Sequence, residues 1–226
     1  MTEPAIPLRA LVFDFDGLIL DTETPEFSAW QDMFAQHGAR LVAADWAHVI
    51  GSTDHGWDAA AEIARLTGQP VDRDELKARW RVRHTEMLAK ETVRPGVVEL
   101  IELAKARGLG LAVASSSKRE WVQGHLERLG LYAAFDAVAT GDEVELTKPD
   151  PALYTLAVER LGVPARSALA LEDSPNGIRA AHAAGLRCVA VPNDVSRHLD
   201  VSAADLVLSS LADLDLDALP AAKPRV

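Results

Sequence analysis

From Val93 onward, short apolar runs alternate with stretches of helical spacing, and nothing else in the chain constrains its fold as strongly. VVELIELAKARG places apolar residues at helical intervals and stops at Gly108. There follow the strand-like LGLAVASSS, the helix KREWVQGHLERLG, the strand FDAVATGDE, and the helix DPALYTLAVERLG with Asp150 as its cap. SALALEDS, NGIRAAHAAG and RCVAVPN keep the rhythm, and DLVLSS supplies a last short strand. Strands alternating with helices of this length predict βαβ units, hence a parallel sheet covered on both faces. LRALVFDFD near the start has the same fully apolar strand character.

Residues 22–92 break the pattern. They read as successive helices (PEFSAWQDMFAQHG, GWDAAAEIARLTG, DRDELKARWRVRHTEMLAK) with no strand between them. Four of the five tryptophans, Trp30, Trp46, Trp57 and Trp80, fall here. They are expected to pack the core of a small helical bundle; the alternative is that one or two of them line a wall for a sugar or base. The expected organisation is an α/β core from residues 1–21 and 93–226, with a helical module of residues 22–92 inserted after the first strand.

Bulk properties narrow the function. The chain has 226 residues, 48% hydrophobic and 25% charged, the composition of an ordinary globular protein. Its net charge of −11 argues against a nucleic-acid or anionic-membrane surface, where basic residues must neutralise phosphates. An anionic substrate would need positive charge supplied locally. Cys188 is the only cysteine, which excludes an intramolecular disulfide and a cysteine metal cluster; in RCVAVP it reads as a small buried hydrophobe. MTEPAIPLRA lacks the regions of a signal peptide, and no apolar stretch reaches the ~20 residues that span a bilayer, so a cytoplasmic location is expected. The Ala/Pro-rich tail from Leu219 is expected to fray.

In an open parallel sheet, ligands bind outside the carboxyl ends of the strands. The first strand delivers Asp14 and Asp16 there, with Gly17 turning the chain away; the second delivers Ser115, Ser116 and Ser117. Lys148 follows the third strand, in LTKPDP, and the fourth ends on Glu172 and Asp173. Singly, each has an ordinary explanation. A strand-end Asp forms turns or caps helices, Ser174 or Asp173 suits the cap of the helix after it, and Ser115–Ser117 suit the cap of KREWVQGHL. Together they gather carboxylates that would drive one another toward protonation unless a cation offset them. Hard carboxylate oxygens point to Mg²⁺, which keeps waters and leaves room for a substrate phosphate.

At these residues the sequence resembles the haloacid dehalogenase superfamily, in the branch of β-phosphoglucomutase and small phosphosugar phosphatases. The similarity covers essentially the whole chain through DFDGLILDTE, VASSS, TKPDP and LEDSPNGIRAAHAAG, in that order. It implies a Rossmann-like core bearing an inserted helical cap of the C1 type. It also implies roles. Asp14 is the nucleophile that becomes an aspartyl-phosphate, and Asp16 the general acid and then base. Two residues apart on a strand, they would face opposite ways, so the chain must leave strand geometry around Phe15–Gly17. The Asp14 carboxylate, the Asp16 carbonyl and Asp173 hold Mg²⁺, with Glu172 adjacent or holding a bound water. Ser115, with nearby N–H groups and Ser116, grips phosphoryl oxygens, and Lys148 offsets charge. A carboxylate at Asp16 separates the chain from P-type ATPases, which place Thr there, and from dehalogenases, which lack it.

The resemblance implies a Mg²⁺-dependent phosphatase of small phosphorylated metabolites, expected to be a monomer. β-Phosphoglucomutase is the alternative. Mutases carry a His shortly after the DT of the first motif and an Arg after a cap glycine, whereas Glu26 and Asp54 stand near those places here, with His55 one residue on. In KARWRVRH, Arg79 and Arg83 share a helical face that is either solvated or a clamp for a second phosphate. A non-catalytic phosphometabolite-binding protein is the remaining class, disfavoured because every catalytic position is filled.

Overall fold

The computed structural model describes residues 7–46 and 56–219. Six strands form one sheet: β1 (Ala10–Phe13), β2 (Gly110–Ser115), β3 (Ala137–Thr140), β4 (Ala168–Glu172), β5 (Arg187–Ala190) and β6 (Leu206–Val207). Their order is β3-β2-β1-β4-β5-β6 and every pairing is parallel. This is the doubly wound order, with β1 central and the topological switch between β1 and β4.

The strands read as apolar throughout, yet they alternate in size, and this sets the two faces. Leu11, Phe13, Leu111, Val113, Leu169 and Leu171 point to one side, where α5 (Val97–Ala106) and α6 (Arg119–Arg128) cover them. Ala10, Val12, Ala112, Ala114, Ala168 and Ala170 point to the other. Small residues there let α7 (Ala152–Leu161) and α8 (Pro175–Ala183) lie close and fill the space with Leu153, Tyr154 and Ile178. Cys188 is buried on this alanine-rich face, as expected of a small hydrophobe.

The helix ends follow local chemistry. Gly108 takes a φ of 69° just past α5, the left-handed stop its position predicted. Ser174 caps α8 by accepting the Gly177 N–H at 3.1 Å. Asp150 accepts the Ala152 N–H at 2.9 Å, one step earlier than a regular cap, because Pro151 occupies the cap position itself. Ser115–Ser117 do not cap α6; the hydroxyls of Ser115 and Ser117 are used elsewhere.

Between β1 and α5 lie only helices among the described residues: α1 (Glu23–Gln36), α2 (Ala43–Trp46), α3 (Ala59–Thr67) and α4 (Arg73–Leu88). The four-residue α2 was not evident from spacing. Trp30 stacks on Trp80 at 4.7 Å between centroids and meets Trp57 edge-on at 5.3 Å, while Phe27 packs on the fully buried Trp46. The tryptophans are therefore core, as expected, although Trp57 and Trp80 are only partly buried. The chain leaves and re-enters the sheet along adjacent paths: Leu20 bridges Val93 in antiparallel fashion, and the Arg94 N–H bonds the Ile19 carbonyl at 3.0 Å. Asp54, His55 and the tail from position 220 lie outside the described residues. No helix among those described is long and apolar enough to cross a membrane.

Candidate active site

The Asp14 N–H donates to the Leu171 carbonyl at 2.9 Å, carrying the β1–β4 pairing one residue past β1 and fixing Asp14 at the sheet's carboxyl edge. The chain then leaves strand geometry as expected. Ile19 and Leu20 donate back to the Phe15 carbonyl, and Gly17 bonds Leu20 with a φ of 80°. Phe15, Leu18, Ile19 and Leu20 are fully buried, so apolar packing holds this polar turn rigid. A Cβ on Gly17 would lie 2.3 Å from Asp173 Oδ2 and 2.6 Å from Glu23 Oε2, so sterics and φ both demand glycine.

The turn sends the two aspartates to different partners. Asp14 faces Lys148, whose buried ammonium donates to it and, at 2.7 Å, to Glu172 Oε1. Asp16 faces the β2 exit. Ser117 Oγ donates to its Oδ2 at 2.7 Å, Ser115 Oγ at 3.3 Å, and the Trp121 indole N–H to its Oδ1 at 2.8 Å. Ser115 Oγ also accepts the Ser117 N–H at 3.0 Å. Ser116 sits in the same loop with its carbonyl against Gly141, where a Cβ would come to 2.1 Å. Every residue picked from the strand ends thus lands at one edge of the sheet.

Several neighbours carry no sequence signature of their own. Glu172, wholly buried, takes the Tyr154 hydroxyl at 2.6 Å on Oε1 and the Ser174 hydroxyl at 3.2 Å on Oε2. The Asp173 and Ser174 N–H groups approach the same Oε2, and Gly177 lacks the Cβ that would collide with this carboxylate. Asn193, just past β5, donates to Glu23 at 3.1 Å and Asp173 at 3.0 Å. The Arg94 guanidinium ties the Gly17, Val191 and Pro192 carbonyls together. Applying the strand-end rule to β5 would have found Asn193. Tyr154 and Arg94 become visible only in three dimensions.

The electrostatics are those of a site short of positive charge. Burial pushes the Asp14 carboxyl well above its usual range; Lys148 opposes this, and Glu172, Asp173 and Asp16 reinforce it. Burial likewise raises Glu23, and with Glu172 lifts Asp173 to about 7. Burial works against the Lys148 ammonium, but Asp14 and Glu172 outweigh it and hold the proton more firmly than usual. Asp14, Glu172 and Asp173 each offer an oxygen within 4.8 Å of the others. One lysine cannot offset this group, and hard oxygen donors at that spacing fit Mg²⁺. Glu172 belongs to the set by distance, yet its lone pairs are already filled by the donors above.

The model of the haloacid dehalogenase-like hydrolases matches residues 11–191. This chain belongs to that family. The hydrolase is 43% identical to YhcW of Bacillus subtilis (strain 168), provisionally named a phosphatase, over 92% of this chain and 94% of that protein. It is 31% identical to the phosphorylated carbohydrates phosphatase of Thermotoga maritima, over 79% and 82% of the two chains. Among solved structures it superposes on CbbY of Rhodobacter sphaeroides in complex with xylulose-(1,5)bisphosphate, with a TM-score of 0.71, 33% identity and coverage of 95% and 100%. The Rossmann-like core expected from the motifs is therefore the fold of this hydrolase.

The inserted helices enclose a recess of their own. Glu26 lines a recess of about 500 Å³ with Trp30, Trp57, Trp80, Arg73 and Lys77. Burial, with a smaller contribution from Asp16, raises its carboxyl to about 7. Arg79 and Arg83, the possible phosphate clamp, are engaged otherwise. Arg83 pairs with Asp32 at 2.7 Å and Arg79 bonds Gln36, tying α4 to α1.

Proposed function

We propose that this hydrolase is a Mg²⁺-dependent phosphatase of small phosphorylated metabolites, sugar phosphates foremost, working through an aspartyl-phosphate. The observation that carries the reading is the placement of Asp14. It is buried against Lys148, within metal-ligand spacing of Asp173, while Asp16 from the same turn is held separately. A nucleophile and an acid/base with different partners are what a two-step displacement requires. The names of the phosphatase relatives support the same class.

Asp14 and Asp173, with the Asp16 carbonyl, would hold the Mg²⁺, which when bound neutralises charge on the phosphoryl oxygens. Lys148, kept in place by Glu172 and through it by Tyr154, compensates charge on Asp14 as it approaches phosphorus. Ser115 and Ser116 and the N–H groups of their loop orient the phosphoryl group. Asp16 gives its proton to the leaving oxygen, then takes one from the water that releases phosphate. We assign residues 1–21 and 93–226 to the core and 22–92 to the cap. The organic part of the substrate fits the recess at Glu26, a carboxyl that stands near the place where a mutase carries its His.

The test is phosphate release from a panel of sugar mono- and bisphosphates, with Mg²⁺ or with EDTA, for the wild type and Asp14→Asn. Metal-dependent release that vanishes in the variant is expected. Turnover surviving in Asp14→Asn would overturn the mechanism. Faster conversion of β-glucose 1-phosphate to glucose 6-phosphate, primed with glucose 1,6-bisphosphate, than phosphate release would favour the mutase.

A further inference from the structure

We propose that Trp121 is a positioning residue for the acid/base: its indole N–H fixes the Asp16 carboxylate in the orientation that accepts a proton from the hydrolytic water. The inference rests on the aspartyl-phosphate reading above. Of the three side chains on Asp16, the two serines are adaptable, because a hydroxyl can donate or accept. An indole N–H can only donate. Trp121 therefore holds Oδ1 as an acceptor at 2.8 Å while Ser117 holds Oδ2 at 2.7 Å. Oδ1 is thereby committed as an acceptor, which leaves Oδ2, whose serine partners can switch between donating and accepting, to take up the proton.

The indole is itself braced. Trp121 lies in the first turn of α6, and its ring meets His125, one turn on, edge-to-face at 4.4 Å between centroids. His125 packs on Phe15 at 6.2 Å, and Phe15 is the fully buried residue between Asp14 and Asp16. The contacts form a circuit: Asp16 to Trp121, Trp121 to His125, His125 to Phe15, and Phe15 back to Asp16 along the chain. The orientation of the acid/base is thereby tied to the packing of its own turn, a link made from the core and not from the inserted helices that hold the other four tryptophans. Backbone geometry alone would leave the Asp16 side chain free to choose among rotamers.

The step at stake is the second half-reaction. A water O–H bond breaks and its proton passes to Asp16; the water oxygen bonds to phosphorus; the phosphorus–oxygen bond to Asp14 breaks, returning the Asp14 carboxylate and inorganic phosphate. The proton gained by Asp16 is the one given to the next leaving group. Losing the Trp121 hydrogen bond should slow this step and spare the transfer of phosphate from a substrate whose leaving group needs no proton.

Stopped-flow kinetics with p-nitrophenyl phosphate and Mg²⁺ separate the two steps, on Trp121→Phe and on protein carrying 3-benzothienylalanine at position 121. The second replaces only the N–H by sulfur and preserves the ring shape, so it stands if the phenylalanine variant folds poorly. Expected is a first equivalent of nitrophenolate at the wild-type rate, then a steady state ~10–100-fold slower, the loss of one hydrogen bond to a charged group. Acid quenching should trap more phosphorylated protein than in the wild type. Wild-type steady-state rates in both variants, or an equal slowing of both phases, would overturn the role of Trp121. If instead the wild type yields no phosphorylated protein and Asp14→Asn still turns over, the aspartyl-phosphate reading falls, and this inference with it.

Discussion

Glu26→Gln offers a quantitative check on how the inserted helices shape the site. Burial among Trp30, Trp57 and Trp80 raises the Glu26 carboxyl from 4.5 to about 7, with Asp16 adding to the effect. Because the folded protein binds this proton more tightly than the unfolded chain, the stabilisation is full below about 4.5 and is lost as pH rises through 7. The difference corresponds to about 3 kcal/mol at 1.36 kcal/mol per pH unit, and to about 2 kcal/mol once partial exposure is allowed for. Glutamine keeps the shape and removes the titration. Urea unfolding in EDTA at pH 5 and pH 8 should then show the variant gaining about 2 kcal/mol on the wild type between those values. Parallel pH dependence in the two proteins would refute the burial of this carboxyl.

Mg²⁺ should raise the melting temperature more at pH 8 than at pH 5. Burial holds protons on Asp14, Glu23 and Asp173, and a metal must displace them; a pH-independent shift measured by thermal denaturation would contradict this. Tyr154→Phe removes the 2.6 Å bond to Glu172 and should cost about 1.5–3 kcal/mol of stability by denaturant titration, as well as lowering turnover by loosening Lys148. Gly17→Ala should abolish phosphate release, because the added methyl would fall 2.3 Å from Asp173 Oδ2; activity near wild type would show that the turn can relax.

The fold was legible because its signals are local. Strand and helix periods, Gly108 as a stop and Ser174 as a cap are properties of short segments, and the structure keeps them. The strand-end rule turned the strand order of the sequence into a prediction of position, which is how Asp14, Asp16, Ser115, Lys148, Glu172 and Asp173 were found together. Where local reading failed, two explanations competed for one residue. Ser115–Ser117 are good helix caps in isolation, but Asp16 claims the hydroxyls of Ser115 and Ser117, and α6 begins without a side-chain cap. Arg79 and Arg83 on one face were compatible with a phosphate clamp, until Gln36 and Asp32 on α1 proved to be their partners.

By itself, then, the sequence determined the strands and the longer helices, the parallel character of the sheet and the chemical types gathered at its edge, since each depends on spacing along the chain. Only the tertiary structure decided how those groups divide their partners. Whether Tyr154 reaches Glu172, Asn193 bridges Glu23 and Asp173, or Trp121 reaches Asp16 depends on how far α6, α7 and the β5 exit stand from β1. The size alternation of the strands and the closeness it permits on the alanine face set those distances. A hydrogen bond is made or lost within about half an ångström, a precision that packing supplies and periodicity does not.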